Sequence, residues 1–198
     1  MITMTEKILE FFGEALRLKR MPRSGWVYSG IPLTEVESVA EHSYMVSLVA
    51  LILAMQEKQK GKQIDLEKVL IMALTHDLPE SISQDIDRRV RKFSPKKYDD
   101  FKKDLDKNAM EKIMAILPNE LSETVLQYFK EFMLGESPEA ILVKEADRLE
   151  TILQLNNYVK QGNNAANFSE FYTNFSEEAD NYKIELAKKL AKKLVNEE

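Results

Sequence analysis

Cysteine is absent from this sequence of 198 residues, and histidine is nearly so, with two residues. Without cysteine the chain has no disulfide framework and no thiolate metal site. Glycine and proline are also scarce, with six residues each, which argues against a loop-rich all-β architecture. The two histidines, His42 and His76, are therefore the first residues to examine for chemistry.

The sequence also lacks a strong charge bias and a long apolar run. Its net charge is −5, with lysine and glutamate mixed along the chain, so binding to nucleic acid polymers or to anionic membranes is not expected. The longest apolar run, Val46 to Met55, is interrupted by Ser47 and is too short to cross a bilayer. The first residues lack the basic start and apolar stretch of a signal peptide, so we expect a cytoplasmic protein.

The spacing of apolar residues predicts an all-α fold. Spacings of three and four residues recur along most of the chain, whereas no segment alternates as a strand does. The length suits one domain spanning residues 1–198. Helices are predicted at 5–20, 38–61, 65–78, 94–117, 121–134, 137–160 and 176–195, with a short helix or turn at 81–91.

His42 is predicted to lie on the buried face of helix 38–61. Ser38 and Glu41 fit a capping box, in which each side chain binds a free backbone N–H of the first turn. From that start, His42 shares a helical face with Val46 and Leu53. A lone histidine in such a position is more often a core residue bonded to a carbonyl, so its interpretation depends on its neighbours.

His76 and Asp77 stand at the end of an otherwise apolar face of helix 65–78. A buried carboxylate without a partner costs several kcal/mol, which favours a paired or metal-bound role for Asp77. Pro79 cannot continue the helical hydrogen-bond ladder, so we expect the helix to break there. Glu80 would then lie in the next turn, close to the pair.

Asp147 supplies a second carboxylate, because it borders the face formed by Ala140 and Val143 on helix 137–160. Two imidazoles and two carboxylates suit Mn, Fe, Co, Ni or Zn better than Ca, which prefers oxygen ligands alone. The alternative is that the histidines only fill a core. That alternative would leave Asp77 and Asp147 buried without partners, which is costly.

The irregular stretch 21–38 is long for a connection and holds the only tryptophan of the sequence, Trp26. Long loops inside compact domains are often functional. Arg20 and Arg23 bring cationic groups close to the indole ring, which offers a stacking surface. The alternative is that Trp26 only pins the loop to the core.

Four motifs together resemble those of the HD-domain phosphohydrolases and, among them, the 5′-deoxynucleotidase group. They are KRMPRSGW at 19–26, ESVAEHS at 37–43, LTHDLPE at 74–80 and LVKEADRLE at 142–150. The resemblance covers residues 19–155 and implies a single HD-domain helical bundle with a metal site in its core. Residues 163–198 match no motif, and their helices are expected to complete the bundle or to form an interface.

The resemblance implies a role for each site residue. It assigns one divalent transition metal (Mn, Co, Ni, Fe or Zn) to His42, His76, Asp77 and Asp147. It assigns a water-handling acid to Glu80, a substrate contact to Asp85, and the arginine and tryptophan of the first loop to Arg23 and Trp26. The family usually has glycine before the later aspartate, where this chain has Gln84, so Asp87 remains an alternative to Asp85, as Arg20 does to Arg23.

The implied reaction is hydrolysis of a nucleoside 5′-monophosphate, in its deoxy form, to nucleoside and phosphate. Arg23 would clamp the phosphate, with Lys144 as a weaker candidate, and Asp85 would accept a sugar hydroxyl. Two alternatives stay open: an HD enzyme that cuts a cyclic-nucleotide phosphodiester or a pyrophosphate bond, and a non-catalytic nucleotide-binding module. A small-molecule nucleotide is the expected partner. The resemblance also implies a homodimer, with the stretch 168–175 or the last helix as its candidate interface.

Overall fold

The computed structural model describes residues 2–195, and within this range it contains ten α-helices and no β-strand. The predicted all-α fold is confirmed. The helices are α1 Met4–Ala15, α2 Ser24–Tyr28, α3 Val39–Gln59, α4 Leu66–Thr75, α5 Glu80–Ser83, α6 Pro95–Met114, α7 Asn119–Leu134, α8 Pro138–Lys160, α9 Ser169–Ala179 and α10 Glu185–Val195. Short 3-10 turns at 16–20, 88–93 and 165–168 link some of them.

Three long segments, α3, α4 and α8, form the centre of the bundle. Their contact faces are apolar and fully buried, as Val46 of α3, Val69 of α4 and Val143 of α8 illustrate. Burying a side chain of this size contributes about 1.5–3 kcal/mol, so a face of several such residues fixes how the helices pack. These three elements also carry or adjoin the predicted metal ligands.

The helix starts follow the capping signals of the sequence. Ser38 and Glu41 form the predicted capping box, and Asp65 accepts the backbone N–H of Lys68 at the start of α4. Helix α4 ends at Thr75, three residues before the predicted end, so His76 and Asp77 lie in the turn that follows it. Leaving the helix frees the His76 ring to bind a backbone carbonyl, as described below.

The first helix differs from its prediction. The spacing of Ile8, Phe11, Phe12 and Ala15 predicts an apolar face that packs in the core, but none of the residues of α1 is fully buried. Phe12 is 54% exposed and Leu9 is 64% exposed. The spacing correctly predicts an amphipathic helix, and Phe11 and Ala15 on its predicted face are partly buried against the core. The expectation is wrong for Phe12, which lies on the same face and is exposed.

The C-terminal region packs against α8 and closes the main core. Phe168 and Phe175, in a stretch predicted to be a connection, are buried, and helix α9 begins at Ser169 rather than at residue 176. Ala187 and Ala191 of α10 are also fully buried in this core. The phenylalanines are therefore not free to form the dimer interface for which this stretch was considered.

Helix α3 has the length and hydropathy of a membrane-spanning segment, the one such helix in the range 2–195. It nevertheless lies at the centre of the bundle, where His42 and Glu57 are fully buried. A core helix of a folded bundle meets the same criteria of length and composition, and the contacts of α3 with α4 and α8 assign it to that class.

Candidate metal centre and active site

His42 lies in the first turn of α3 and is fully buried. Its Nδ1 is 2.5 Å from Oε2 of Glu150, on α8, which leaves Nε2 pointing to the opposite side. Glu37 lies behind the same ring and accepts the indole N–H of Trp26 at 2.7 Å. Both acids have ligand-type atoms close to His42, but Glu150 hydrogen-bonds the ring and so orients it, as carboxylates beside metal-binding histidines do, whereas Glu37 binds Trp26.

His76 follows the last turn of α4 and is 7% exposed. Its Nδ1 lies 2.8 Å from the carbonyl oxygen of Ala73, so Nδ1 carries the proton of that hydrogen bond. Its Nε2 has no hydrogen-bond partner, and the same is true of Nε2 of His42. Two buried ring nitrogens without hydrogen-bond partners are costly unless they bind something.

The two free nitrogens converge with two carboxylates. Nε2 of His42 is 3.2 Å from Oδ1 of Asp147 and 3.6 Å from Oδ2 of Asp77, and Nε2 of His76 is 3.2 Å from the same Asp77 oxygen. Ligands about 2.1 Å from a central ion lie roughly 3 Å from one another. His42, His76 and Asp147 therefore form a group with the spacing and donor types that could hold a divalent transition metal, and Asp77 lies beside both imidazoles.

The charges of this cluster reinforce that fit. Burial would lower the pKa of His42, but the carboxylates of Asp147 and Glu150 raise it to about 10. Burial would raise the pKa of Asp77, but His76 and the guanidinium of Arg23 hold it well below its usual range. Both shifts reflect the closeness of carboxylates and imidazoles, with Arg23 adding to that of Asp77, and several carboxylates around one point favour positive charge there.

Glu80 opens the short helix α5, one turn after the cluster, and is 4% exposed. Its Oε1 accepts a hydrogen bond from Nζ of Lys102 at 3.2 Å, whereas its Oε2 is buried without a partner. Burial, followed by the charges of Asp77 and Asp85, raises the pKa of Glu80 well above its usual value. A carboxyl group with these properties is suited to exchanging a proton with water.

The cluster opens into a cavity of about 600 Å³. Asp77, Asp147, His76 and Glu80 reach its wall, and His42 lies behind them. Seven cationic side chains also line it: Arg23, Arg88, Arg89, Arg91, Lys92, Lys102 and Arg148. Eight carboxylates share this wall, those of Asp77, Glu80, Asp85, Asp87, Asp106, Asp147, Glu170 and Glu178. A cavity of this size holds a small molecule, and the cations of its wall offer hydrogen-bond donors to a phosphate.

Arg23 and Asp85 line the cavity as a linked pair. Nη1 of Arg23 is 3.2 Å from Oδ2 of Asp77 and 4.0 Å from Oδ1 of Asp85. Asp85 also accepts the backbone N–H of Ser24 at 2.6 Å, which caps the start of α2. Gln84, where the family usually has glycine, adopts a φ of 67°, a conformation that costs a residue with a side chain about 1–3 kcal/mol.

Of the alternatives left open by the sequence, the geometry favours Asp85 and Arg23. Asp87 also borders the cavity, but both its carboxylate oxygens bind the guanidinium of Arg89, at 2.7–3.2 Å. Arg20 is exposed and lies outside the cavity wall, whereas Arg23 is part of it.

Two expected substrate contacts lie elsewhere. Trp26 is 2% exposed, and its ring stacks on Phe171 with centroids 4.9 Å apart, so it pins the loop to the core instead of presenting a face to the cavity. The prediction of a stacking surface at Trp26 is wrong for this structure. Lys144 is exposed, lies against Phe132 and Gly135, and borders a smaller neighbouring pocket, not the main cavity.

Several residues of the site were not identified from the sequence. Glu150 could have been found, because it follows Asp147 by three positions and so lies on the same helical face. Lys102 and Asp106 are part of a charged run on α6 that reads as a solvated surface, and Glu37 stands in an irregular loop. No pattern of period or spacing distinguishes these three from their neighbours.

Comparison with known proteins supports the interpretation of the site. The chain is 34% identical to 5′-deoxynucleotidase HDDC2 of Dictyostelium discoideum, over 94% of this chain and 95% of that protein. It is 32% identical to 5′-deoxynucleotidase HDDC2 of Danio rerio, over 84% of this chain and 77% of that protein.

The fold is similar to that of the crystal structure of the PH0347 protein of Pyrococcus horikoshii OT3, with a TM-score of 0.72 and 32% identity over 95% of this chain and 96% of that one. The family model described as HD domain matches residues 15–187, which include all four members of the cluster. The helical fold, the paired histidines and aspartates, and these matches agree, and the chain belongs to the HD domain family.

Proposed function

We propose that this protein is a metal-dependent phosphohydrolase that converts deoxynucleoside 5′-monophosphates to nucleoside and phosphate. The main structural support is the convergence of His42, His76, Asp77 and Asp147 at one side of the main cavity, whose wall also carries several arginines and lysines. Relatives that match 77–95% of their own length carry the name 5′-deoxynucleotidase, which supports the substrate class.

The four clustered side chains would hold one divalent transition metal. A metal in this place would act as a Lewis acid toward a phosphate oxygen and lower the pKa of a nearby water. The protein's own contribution is orientation, because Glu150 and the Ala73 carbonyl fix the two imidazole rings with Nε2 toward the centre.

Three further residues would bind the substrate or transfer a proton: Glu80, Arg23 and Asp85. Glu80 has a free carboxylate oxygen beside the cluster, and it would orient the attacking water and accept its proton. Arg23 uses one nitrogen for Asp77, and its fork retains further N–H donors for a phosphate. Asp85 lines the cavity, and its carboxylate would accept a sugar hydroxyl and favour one sugar over another.

The experiment that tests this function is phosphate release from a panel of ribo- and deoxyribonucleoside 5′-monophosphates. Metal-stripped protein is assayed with Mn, Co, Ni, Zn or Mg added back. The Asp77→Ala variant removes a proposed ligand, and Asp104→Ala removes an exposed aspartate of α6 as the matched control. We expect metal-dependent release from deoxy forms that Asp77→Ala abolishes and Asp104→Ala retains.

The same panel separates the alternatives. Activity confined to cyclic nucleotides or to pyrophosphate bonds would move the assignment to another HD-type reaction. Nucleotide or metal binding without turnover of any compound would indicate a binding module.

We further propose a cytoplasmic homodimer. The outer face of α3 exposes Tyr44, Leu48 and Ile52 at four-residue spacing, and the stretch from His42 to Gln56 contains no acidic or basic residue except histidine. Contiguous exposed apolar surface of this kind is typical of interaction sites, and an uncharged face can meet its own copy without repulsion. Sedimentation of the wild type and of Ile52→Lys measures the oligomeric state, and a monomeric wild type would contradict the proposal.

A further inference from the structure

We infer that Lys102 is a positioning residue for the reaction, which holds one oxygen of Glu80 and leaves the other free, and that Asp106 holds Lys102 in place. This inference rests on the proposed function, in which Glu80 handles the attacking water. It gives a role to a charged pair on α6 that the four sequence motifs do not include.

The geometry links three side chains in a row. Nζ of Lys102 lies 3.2 Å from Oε1 of Glu80 and 2.8 Å from Oδ1 of Asp106. The two α6 residues are four positions apart and so share one face of the helix. All three side chains line the main cavity, and the exposed fraction of the lysine side chain is 22%.

Lys102 differs from the other lysines on its helix. Lys96, Lys97, Lys103, Lys107 and Lys112 are exposed, as expected for a solvated charged surface. Lys102 instead is placed against a nearly buried carboxylate, where removing an ammonium group from water costs free energy that an ion pair only partly recovers. Packing of the helix does not require this pair, because α6 is anchored by its buried end, at Met110, Ile113 and Met114.

The contact decides which carboxylate oxygen is available. Oε1 of Glu80 is occupied by the ammonium group, whereas Oε2 is buried and has no hydrogen-bond partner. Helix α5, which carries Glu80, has only four residues, so it restrains this side chain little by itself. Lys102 supplies the missing restraint and presents Oε2 as the acceptor, and Asp106 keeps the long lysine side chain from turning to solvent.

The first test uses steady-state kinetics with deoxyadenosine 5′-monophosphate as the probe. We expect Lys102→Met to lower kcat about 10- to 100-fold, which is less than the roughly 10²–10⁴-fold that a general base contributes, because Glu80 itself remains. KM should change less than about twofold, because the lysine orients the acid and does not bind substrate. Lys102→Arg should recover part of kcat, Asp106→Asn should lose about three- to tenfold, and Lys103→Met is the exposed control.

A double-mutant cycle tests whether Lys102 influences kcat through Glu80. In a Glu80→Gln background, Lys102→Met should lower kcat by less than about twofold, because the group it positions is already lost. Equal effects in both backgrounds would overturn the inference, and so would a higher KM with unchanged kcat, which would make Lys102 a direct phosphate ligand. Metal content and melting temperature should match the wild type.

Crystal structures of the wild type and of Lys102→Met keep the inference testable even if no nucleotide is hydrolysed. We expect the Glu80 carboxylate to occupy one position in the wild type and to shift or split in the variant. A Glu80 side chain that stays in place without Lys102 would overturn the inference by itself. Absence of turnover in the wild type would instead overturn the proposed function.

Discussion

The inner wall of the cavity and its rim are built in different ways. The inner wall is formed by His76 and Asp147 with His42 behind them, and these residues lie on or directly after helices packed through fully buried faces. The rim consists of Arg23, Asp85 and other side chains on short helices and turns, held by ion pairs and backbone hydrogen bonds. Core packing therefore fixes the proposed metal ligands, and polar contacts position the groups that would meet the substrate.

The largest effect is expected from breaking the inner wall. His42→Ala should abolish stoichiometric metal binding and lower phosphate release at least about 10³-fold, because the ring is a proposed ligand and no nearby side chain replaces it. Metal content after dialysis and activity with Mn²⁺ measure both effects. If the variant only loses stability and keeps its metal, the histidine is a core residue.

The second-largest effect is expected at Glu150, which holds the His42 ring in its orientation. Glu150→Gln should weaken metal affinity about 10- to 100-fold, because the amide cannot stabilise the His42 ring as the carboxylate does. Calorimetric titration with Mn²⁺ gives the affinity. Glu120→Gln, at an exposed position of α7, is the matched control and should bind as the wild type does.

A smaller effect is expected at the rim. Arg23→Lys should raise KM about tenfold, equal to about 1.4 kcal/mol, because an ammonium group cannot bind a phosphate with two parallel hydrogen bonds. Metal content should remain that of the wild type, which distinguishes the rim from the inner wall. Loss of metal in this variant would show that the ion pair with Asp77 supports the cluster and that the two regions are not separate.

The smallest effect is a gain in stability. Gln84→Gly should raise the free energy of unfolding by about 1 kcal/mol, since glycine adopts the positive φ of this position without strain. Thermal unfolding measures the change, and KM should stay the same if Asp85 keeps its contact with Ser24. Gln63→Gly, in an exposed loop, is the control and should be neutral or destabilising. A lower melting temperature for Gln84→Gly would mean that the glutamine side chain stabilises the fold by more than its backbone strain costs.

The contrast between residues placed by helix packing and residues placed by polar or distant contacts also explains what could be predicted from the sequence. His42 and Asp147 could be placed because periodic apolar residues define which side of a helix is buried. Trp26 could not, because its ring is covered by Phe171, a residue 145 positions away (171 − 26) that no local pattern connects to it. Lys102 could not either, because a lysine on a charged helix has the same local sequence whether it faces water or a carboxylate. The exposed face of α1 is a third case, since periodicity shows that a face is apolar but not what covers it.

The packing of Trp26, edge-on to Phe168 and stacked on Phe171, has a consequence for synthesis of the chain. All four members of the cluster have been translated by residue 147, but the loop that carries Arg23 rests on rings that emerge from the ribosome later. Domains start to fold as they are made, and contacts distant in sequence form late. A nascent chain can therefore complete the inner wall before the rim, and a product truncated after α8 would contain every motif of the family without a finished substrate pocket.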